Sequence, residues 1–362
     1  MKKKICVYTI CKNEEKFVER WVNSAREADL LVVGDTGSLD ESVDKLENLG
    51  VIVYKLDINP WRFDVARNKV LELIPGDVDI CVSLDMDEVL STGWRKIVEE
   101  NWKDDTTRIG YVYNWNFDEY GNPITTFISN KIHERKSYKW THPVHEVLEY
   151  IGDKIEKIEF GGGIHIDHHS DPTKSRAQYL DLLELSVEEK PDDDRNVHYL
   201  GREYMYRRMY DKSIEMLKKH LELKTATWKD ERCASMRFIG RCYIGLKDYS
   251  EAKKWLDLAI LEAPYLRDPY VERALLAYIE EDWESIERNC NQALKIKENQ
   301  KTYINEQFSY DYTIYDLLSL ACYYRGNYDE AYKNINLALE MNPKDERLLE
   351  NKKLIWNKIS SV

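Results

Sequence analysis

No segment of the 362-residue chain approaches the roughly 18 consecutive apolar residues that a membrane-spanning helix needs, so no membrane span is expected. The basic start MKKKICVYTIC runs at once into Lys12, Asn13, Glu14 and Glu15, and its apolar stretch is too short for a signal peptide. The seven cysteines are odd in number and form no CxxC pair, which points to reduced thiols and a cytoplasmic protein. Nor is there an excess of positive charge: 66 Asp and Glu outnumber 53 Lys and Arg, giving a net charge of −13 with acid and base spread along the whole length. Bulk attraction to nucleic acid or to an anionic membrane is thereby excluded, although a local basic pocket is not. There is also no GxGxxG after the first apolar run and no GxxxxGK anywhere, so a glycine-rich cradle for a dinucleotide or a P-loop is missing.

What the chain does have is a folded composition, 43% hydrophobic with 25 tyrosines and 10 tryptophans. Its length exceeds one ordinary core and divides into residues 1–190 and 191–362. Up to about residue 90, KKICVYTI, DLLVVG, VIVYKL and VDICVSL read as strands, with EEKFVERWVNSAREA, DESVDKLENL and RFDVARNKVLELI as the helices between them. Phe17, Trp21 and Ala25 share a face of the first helix, and Asn13 is its expected N-cap. This alternation predicts a parallel, doubly wound α/β sheet, whose ligands sit beyond the carboxyl ends of the strands.

The residues at those ends are Thr9 to Glu14, Asp35 to Asp40, Asp57 and Asp85 to Glu88. Acid recurring along one rim asks for a cation, ribose hydroxyls or a base edge. In CVSLDMDEVL, Asp85 and Asp87 stand two apart on an extended segment and can share a target while Met86 turns away. Carboxylate oxygens suit Mg²⁺ or Mn²⁺, which take their remaining ligands from phosphate and water. The same residues could instead end the strand in water and cap a helix near 91 to 100.

From about residue 192 the composition shifts to helical periodicity, and the chain repeats itself. YDKSIEMLKKHL, YSEAKKWLDLAI, WESIERNCNQAL and YDEAYKNINLAL align, and the upstream stretches HYLGREYMY and RFIGRCYIG carry glycine at matching offsets. This is the tetratricopeptide pattern. Tyr249 and Trp283 are 34 apart, as one repeat requires, whereas the wider spacings before and after place insertions between repeats one and two and between three and four. Stacked helix pairs leave a groove suited to peptides or to a second subunit.

TICKNEEKFVERWV, VVGDTGSLDES, FDVARNKVLE and SLDMDEVL, in this order and at these spacings, resemble the nucleotide-sugar domain of glycosyltransferase family 2, a GT-A fold, over residues 5 to 90. KWTHPVHEVLE resembles the G-x-x-HE segment of the subgroup that carries tetratricopeptide repeats, and IDHHSDPTKSRAQYLDLLE resembles its HYGY segment. Here Pro143 and Val144 precede His145, and Ser170 and Asp171 replace the aromatic and the glycine. The resemblance implies an inverting, metal-dependent transfer from a UDP-sugar, with Mn²⁺ or Mg²⁺ as cofactor. It implies that Thr9 and Cys11 line the nucleobase pocket, that Asp35 accepts from the base and that Arg67 faces the diphosphate. Asp85 is then near ribose and metal, while Asp87 and His168 hold the metal. Glu146, in the His-Glu pair, is the first candidate for the base, Asp118 the second and Glu88 the third.

The middle segment, about 105 to 170, reads as further strands with a turn at Tyr120-Gly121-Asn122-Pro123. HIDHH could suggest zinc, but without a second Cys/His cluster nearby a single His168 ligand is the simpler account. Gly161-Gly162-Gly163 reads as a flexible approach to that strand, and DPTKSRAQYLDLLELSVEEK as a helix joining the domains. The repeats tilt the acceptor toward a peptide or protein, as in the peptide S- and O-glycosyltransferases of this layout. The alternatives are a saccharide or lipid-linked acceptor with the repeats forming a homodimer, and a non-catalytic repeat scaffold.

Overall fold

The computed structural model describes residues 3–118, 120–171, 178–297 and 302–360. Two compact units divide the chain, Met1–Ser186 and Val187–Val362. In the first, the four apolar runs become β1 (Ile5–Cys11), β2 (Leu30–Asp35), β3 (Ile52–Lys55) and β4 (Ile80–Ser83). They are connected by α1 (Val18–Ala25), α2 (Ser42–Asn48) and α3 (Phe63–Leu73). β1 pairs in parallel with both β2 and β4, and β2 with β3. Both faces of β1 are covered: Ile5, Val7 and Cys11 pack with Trp21 and Trp94, whereas Cys6 and Tyr8 pack with Val70 of α3 and with Ile74 just past its end. A strand buried on both sides must be apolar throughout, which is why ICVYTIC shows no polar alternation.

The remaining elements of this unit are β5 (Glu88–Leu90), α4 (Trp94–Asn101), β6 (Arg108–Phe117), β7 (Pro123–Glu134), β8 (Tyr138–Thr141), β9 (Val147–Tyr150) and β10 (Ile158–His168). Among the described residues the main sheet has eight strands in the order β3-β2-β1-β4-β7-β6-β10-β5, and β8 and β9 form a separate pair. β7 runs antiparallel to β4 and β6, and β5 antiparallel to β10, so six strands end on one edge. The expected turn joins β6 to β7, with Gly121 at φ +83°.

Three local expectations need correction. α1 starts at Val18 rather than near Asn13, which instead adopts φ +55° and accepts from the Leu39 amide at 2.7 Å. Asparagine tolerates that left-handed conformation because its short side chain can hydrogen-bond locally, and here it ties two rim loops together. α4 is capped not by the Asp85 to Glu88 carboxylates but by Glu27, which accepts from the amides of Gly93 and Arg95. Gly161 to Gly163 lie inside β10, where the register against β6 shifts between Phe160 and His165. A Cβ on Gly161 or Gly163 would come within 2.8 Å of Ile164 or Ile97 respectively, so this is a tight bulge rather than a loose approach.

The described part of the expected joining helix is α5 (Tyr179–Glu189); residues 172–177 lie outside the described residues. The second unit continues with helix pairs: α6 (Asp194–Tyr206) with α7 (Tyr210–Glu222), α8 (Lys229–Gly245) with α9 (Tyr249–Glu262), α10 (Asp268–Ile279) with α11 (Trp283–Lys295), and α12 (Thr313–Tyr324) with α13 (Tyr328–Met341). α14 (Glu346–Ile359) follows them. The repeated glycines sit where paired helices touch: a Cβ on Gly240 would be 2.9 Å from Leu256 of α9, and Gly201 meets Leu217 of α7 in the same way. The insertion between α11 and α12 returns across the first helices of the pairs. Tyr303 stacks on Tyr199 of α6, the Ile304 carbonyl accepts from Arg237 of α8 at 2.8 Å, and the Glu306 amide donates to Asp268 of α10 at 2.6 Å.

Candidate active site

Once the parallel strands stop, the chain after β4 passes through Asp85, Met86 and Asp87 and returns as β5. Because β5 pairs antiparallel with β10, Glu88 lies opposite His168. That register brings His168 Nε2 to 3.7 Å from Asp87 Oδ2. His168 Nδ1 is 3.0 Å from the Trp115 carbonyl, and the ring stacks on the Trp115 indole at 4.4 Å. An Nδ1–H held by a carbonyl leaves Nε2 as the lone-pair nitrogen toward Asp87, the arrangement that second contacts impose on metal-binding histidines. Burial lowers the pKa of His168, but Asp87 and the Trp115 carbonyl outweigh it and the net shift is upward. An imidazole and a carboxylate facing one gap fit a divalent cation.

Beside this pair lies a buried ionic network. Arg67 of α3 is 5% exposed, and its guanidinium reaches Asp85 Oδ1 at 2.7 Å, Glu146 Oε1 at 2.5 Å and the face of Trp140 at 5.0 Å. Burial opposes its charge, but the two carboxylates more than compensate and its pKa rises. Lys131 of β7 is 3.5 Å from Asp85 and 3.7 Å from Glu88, which likewise hold it charged against burial. Glu88 accepts from the Tyr113 hydroxyl at 2.6 Å and from the Asp85 amide at 2.7 Å. Its burial raises its pKa despite Lys131.

Glu146 reaches Arg67 from a strained loop. His142 and His145 have φ of +75° and +52°, conformations that cost of order 1–3 kcal/mol each and persist only where the surroundings enforce them. Here the Phe63 amide donates to the Pro143 carbonyl at 3.0 Å, and the Asn68 side chain brackets the Trp140 backbone at 2.8 and 2.9 Å. The loop is thus pinned to α3, the helix that carries Arg67.

Other expected residues sit differently. Asp35, 4% exposed, accepts from the amides of Gly37 and Ser38 at 3.2 and 3.1 Å, closing its own turn. Thr9 donates to the Ile10 carbonyl at 3.2 Å. The Cys11 side chain packs with Phe17 and Leu46, and burial pushes its thiol up to about 12. Neither side chain opens onto solvent, so a ligand would meet the backbone at the end of β1. Asp118 is a turn residue that accepts from Tyr120 and Asn122, away from Glu146 and Arg67 in role. His165 and His169 are exposed, with His169 stacked on Phe117, so HIDHH is not one metal cluster.

Lys131, Tyr113, Trp115 and Arg20 were not among the residues expected at the site. Lys131 stands in ISNKIHE, where five of seven residues are polar, so nothing in the local pattern singles it out. Arg20 of α1 feels the charge of Asp87, yet its Nε and Nη2 are buried without a hydrogen-bond partner among the described residues. It borders a cleft of about 580 Å³ with Lys16, Asn23, Val89 and Thr92.

Comparison with known proteins follows these outlines. Residues 6–150 match the model of Glycosyl transferase family 2, and residues 238–265 and 312–345 match the Tetratricopeptide repeat. An uncharacterized glycosyltransferase of Rickettsia bellii is 37% identical over 90 residues, 25% of this chain and 29% of that protein, so the chain spans less than a third of that relative's length. Similar solved structures include MamA, at 20% identity and TM-score 0.37, covering 46% of this chain and 89% of that one. A thermophilic TPR protein of Thermus thermophilus is 20% identical with a TM-score of 0.36, covering 49% of this chain and 88% of its own. The chain thus carries a glycosyl transferase family 2 domain in its first unit and tetratricopeptide repeats in its second.

Proposed function

We propose that the first unit transfers a sugar, with inversion, from a UDP-sugar to an acceptor, using Mn²⁺ or Mg²⁺ held by Asp87 and His168. The observation that carries this reading is the meeting of the two side chains at the strand-end rim, with His168 Nδ1 tied back to a carbonyl. A bound divalent ion there would supply charge neutralisation for the leaving diphosphate.

The chain's own residues divide the rest of the work. Arg67 is paired with Glu146 and Asp85. A diphosphate entering the rim offers a stronger bidentate partner for the guanidinium and frees Glu146 to take the acceptor proton. Lys131 and Tyr113 hold Asp85 and Glu88 in place from the neighbouring strands.

For the acceptor, the repeats support a peptide or protein side chain. A second reading, a saccharide or lipid-linked acceptor, is favoured by one observation: the face made by the first helices already carries Tyr303, Ile304 and Glu306. UDP-sugar turnover with and without Mn²⁺ tests the donor half. Metal-stimulated release of UDP by the wild type, lost in Asp87→Ala, is expected; no donor binding and no turnover in the wild type overturns the enzyme reading.

A further inference from the structure

We propose that the second unit binds a divalent transition-metal ion, Zn²⁺ or a cation of similar preference, through Asp194, His220 and Glu231. Asp194 opens α6, His220 lies in the last turn of α7 and Glu231 in the first turn of α8. One ligand atom from each lies within 4.8 Å of the other two. The imidazole of His220 is fully buried, and among the described residues its Nε2 has no hydrogen-bond partner although it stands 3.3 Å from Glu231 Oε1. A tetrahedral ion with bonds of about 2.0–2.1 Å separates its nitrogen and oxygen ligands by about 3.3–3.4 Å. The gap between these two atoms already has that width.

The supporting contacts point the ligands into the gap. His220 Nδ1 is 2.9 Å from Ser235 Oγ, which fixes the ring and leaves Nε2 facing the carboxylates. Ser235 is fixed in turn by His198 Nδ1 at 2.8 Å. Glu231 turns its second oxygen to the Tyr303 hydroxyl, which leaves Oε1 for the ion. Among the described residues, no lysine or arginine makes an ion pair with Asp194 or Glu231, so two carboxylates meet without the cation that would balance them. One imidazole with two carboxylates favours Zn²⁺ over Mg²⁺, which keeps mostly water and phosphate oxygens. Three protein ligands leave a fourth position for water. The ion would join α6, α7 and α8 and, through Glu231, hold Tyr303.

The test uses the full-length, metal-stripped Asp87→Ala chain, in which the first unit's candidate site is disabled. Titration with Co²⁺, followed by visible d–d absorption, and with Zn²⁺ by calorimetry is expected to saturate at one equivalent and to raise the melting temperature. Asp194→Asn, at a partly exposed helix start, should weaken that binding at least tenfold with an unchanged far-ultraviolet spectrum, and Glu231→Gln should do the same. No saturable uptake by the Asp87→Ala chain overturns the proposal. So does an affinity that Asp194→Asn leaves unchanged, and this second criterion stands even if Glu231→Gln fails to fold.

Discussion

Asp87 is the side chain on which the metal reading can fail most directly. In Asp87→Ala, metal-dependent donor affinity should fall at least tenfold by calorimetry with an unchanged far-ultraviolet spectrum, because the Asp87 side chain faces His168 and the charge of Arg20 at the rim. Glu146→Gln should lower transfer by about 10²-fold or more, the usual scale for a general base, while donor affinity is held or raised because the neutral side chain no longer competes with the diphosphate for Arg67. His133 offers a pH test independent of catalysis. It is fully buried, and desolvation holds its pKa down to about 3 against an ordinary 6.5, even though Glu134 and Tyr8 satisfy both ring nitrogens. Below pH 6.5 the unfolded chain binds this proton and the folded chain does not. His133 should therefore contribute a loss of about 1.4 kcal/mol per pH unit between roughly 6.5 and 3, and His133→Gln should reduce the acid slope in urea titrations by that amount, leaving the contribution of the similarly buried His198. The acid rim was legible because each carboxylate follows its own strand in sequence. Lys131, Tyr113 and Trp115 were not, since only the pairing of β7 beside β4 and β10 beside β6 brings them to Asp85 and His168.

At the scale of elements, periodicity located the strands and helices of the first 90 residues, and the errors fell where one side chain overrides a pattern. Asn13 has the residue type of an N-cap but spends its amide on another loop. The three glycines of β10 read as a flexible approach to the strand, yet they lie inside it at a register shift, with Ile164 and Ile97 closing on Gly161 and Gly163. The repeat glycines were legible as a pattern, and packing supplies their cause. Gly240→Ala should cost about 1–3 kcal/mol by overpacking the α8–α9 contact at Leu256. Gly76→Ala, where a Cβ meets nothing within 4 Å, should be close to neutral in the same thermal unfolding experiment.

For the whole molecule, the sequence separated an α/β part from a helical-repeat part, and the spacing of its aromatic residues announced an insertion before α12. What spacing could not announce is where that insertion goes. It lies along the first helices as a peptide would: Tyr303 stacks on Tyr199, Ile304 packs with Phe238, and the Glu306 carboxylate pairs with Arg241. A segment tethered beside its own seat is present at an effective concentration of order mM. Any peptide arriving from solution competes with that built-in occupant, and its apparent Kd rises by the ratio of that concentration to the occupant's own dissociation constant. A double variant, Tyr303→Ala with Glu306→Ala, should therefore bind tyrosine- and glutamate-bearing peptides at least tenfold more tightly than the wild type in fluorescence anisotropy. Equal affinities would mean that the insertion is not a competitor. The repeats would then behave as a receptor that is full at rest, with a threshold set by the chain itself.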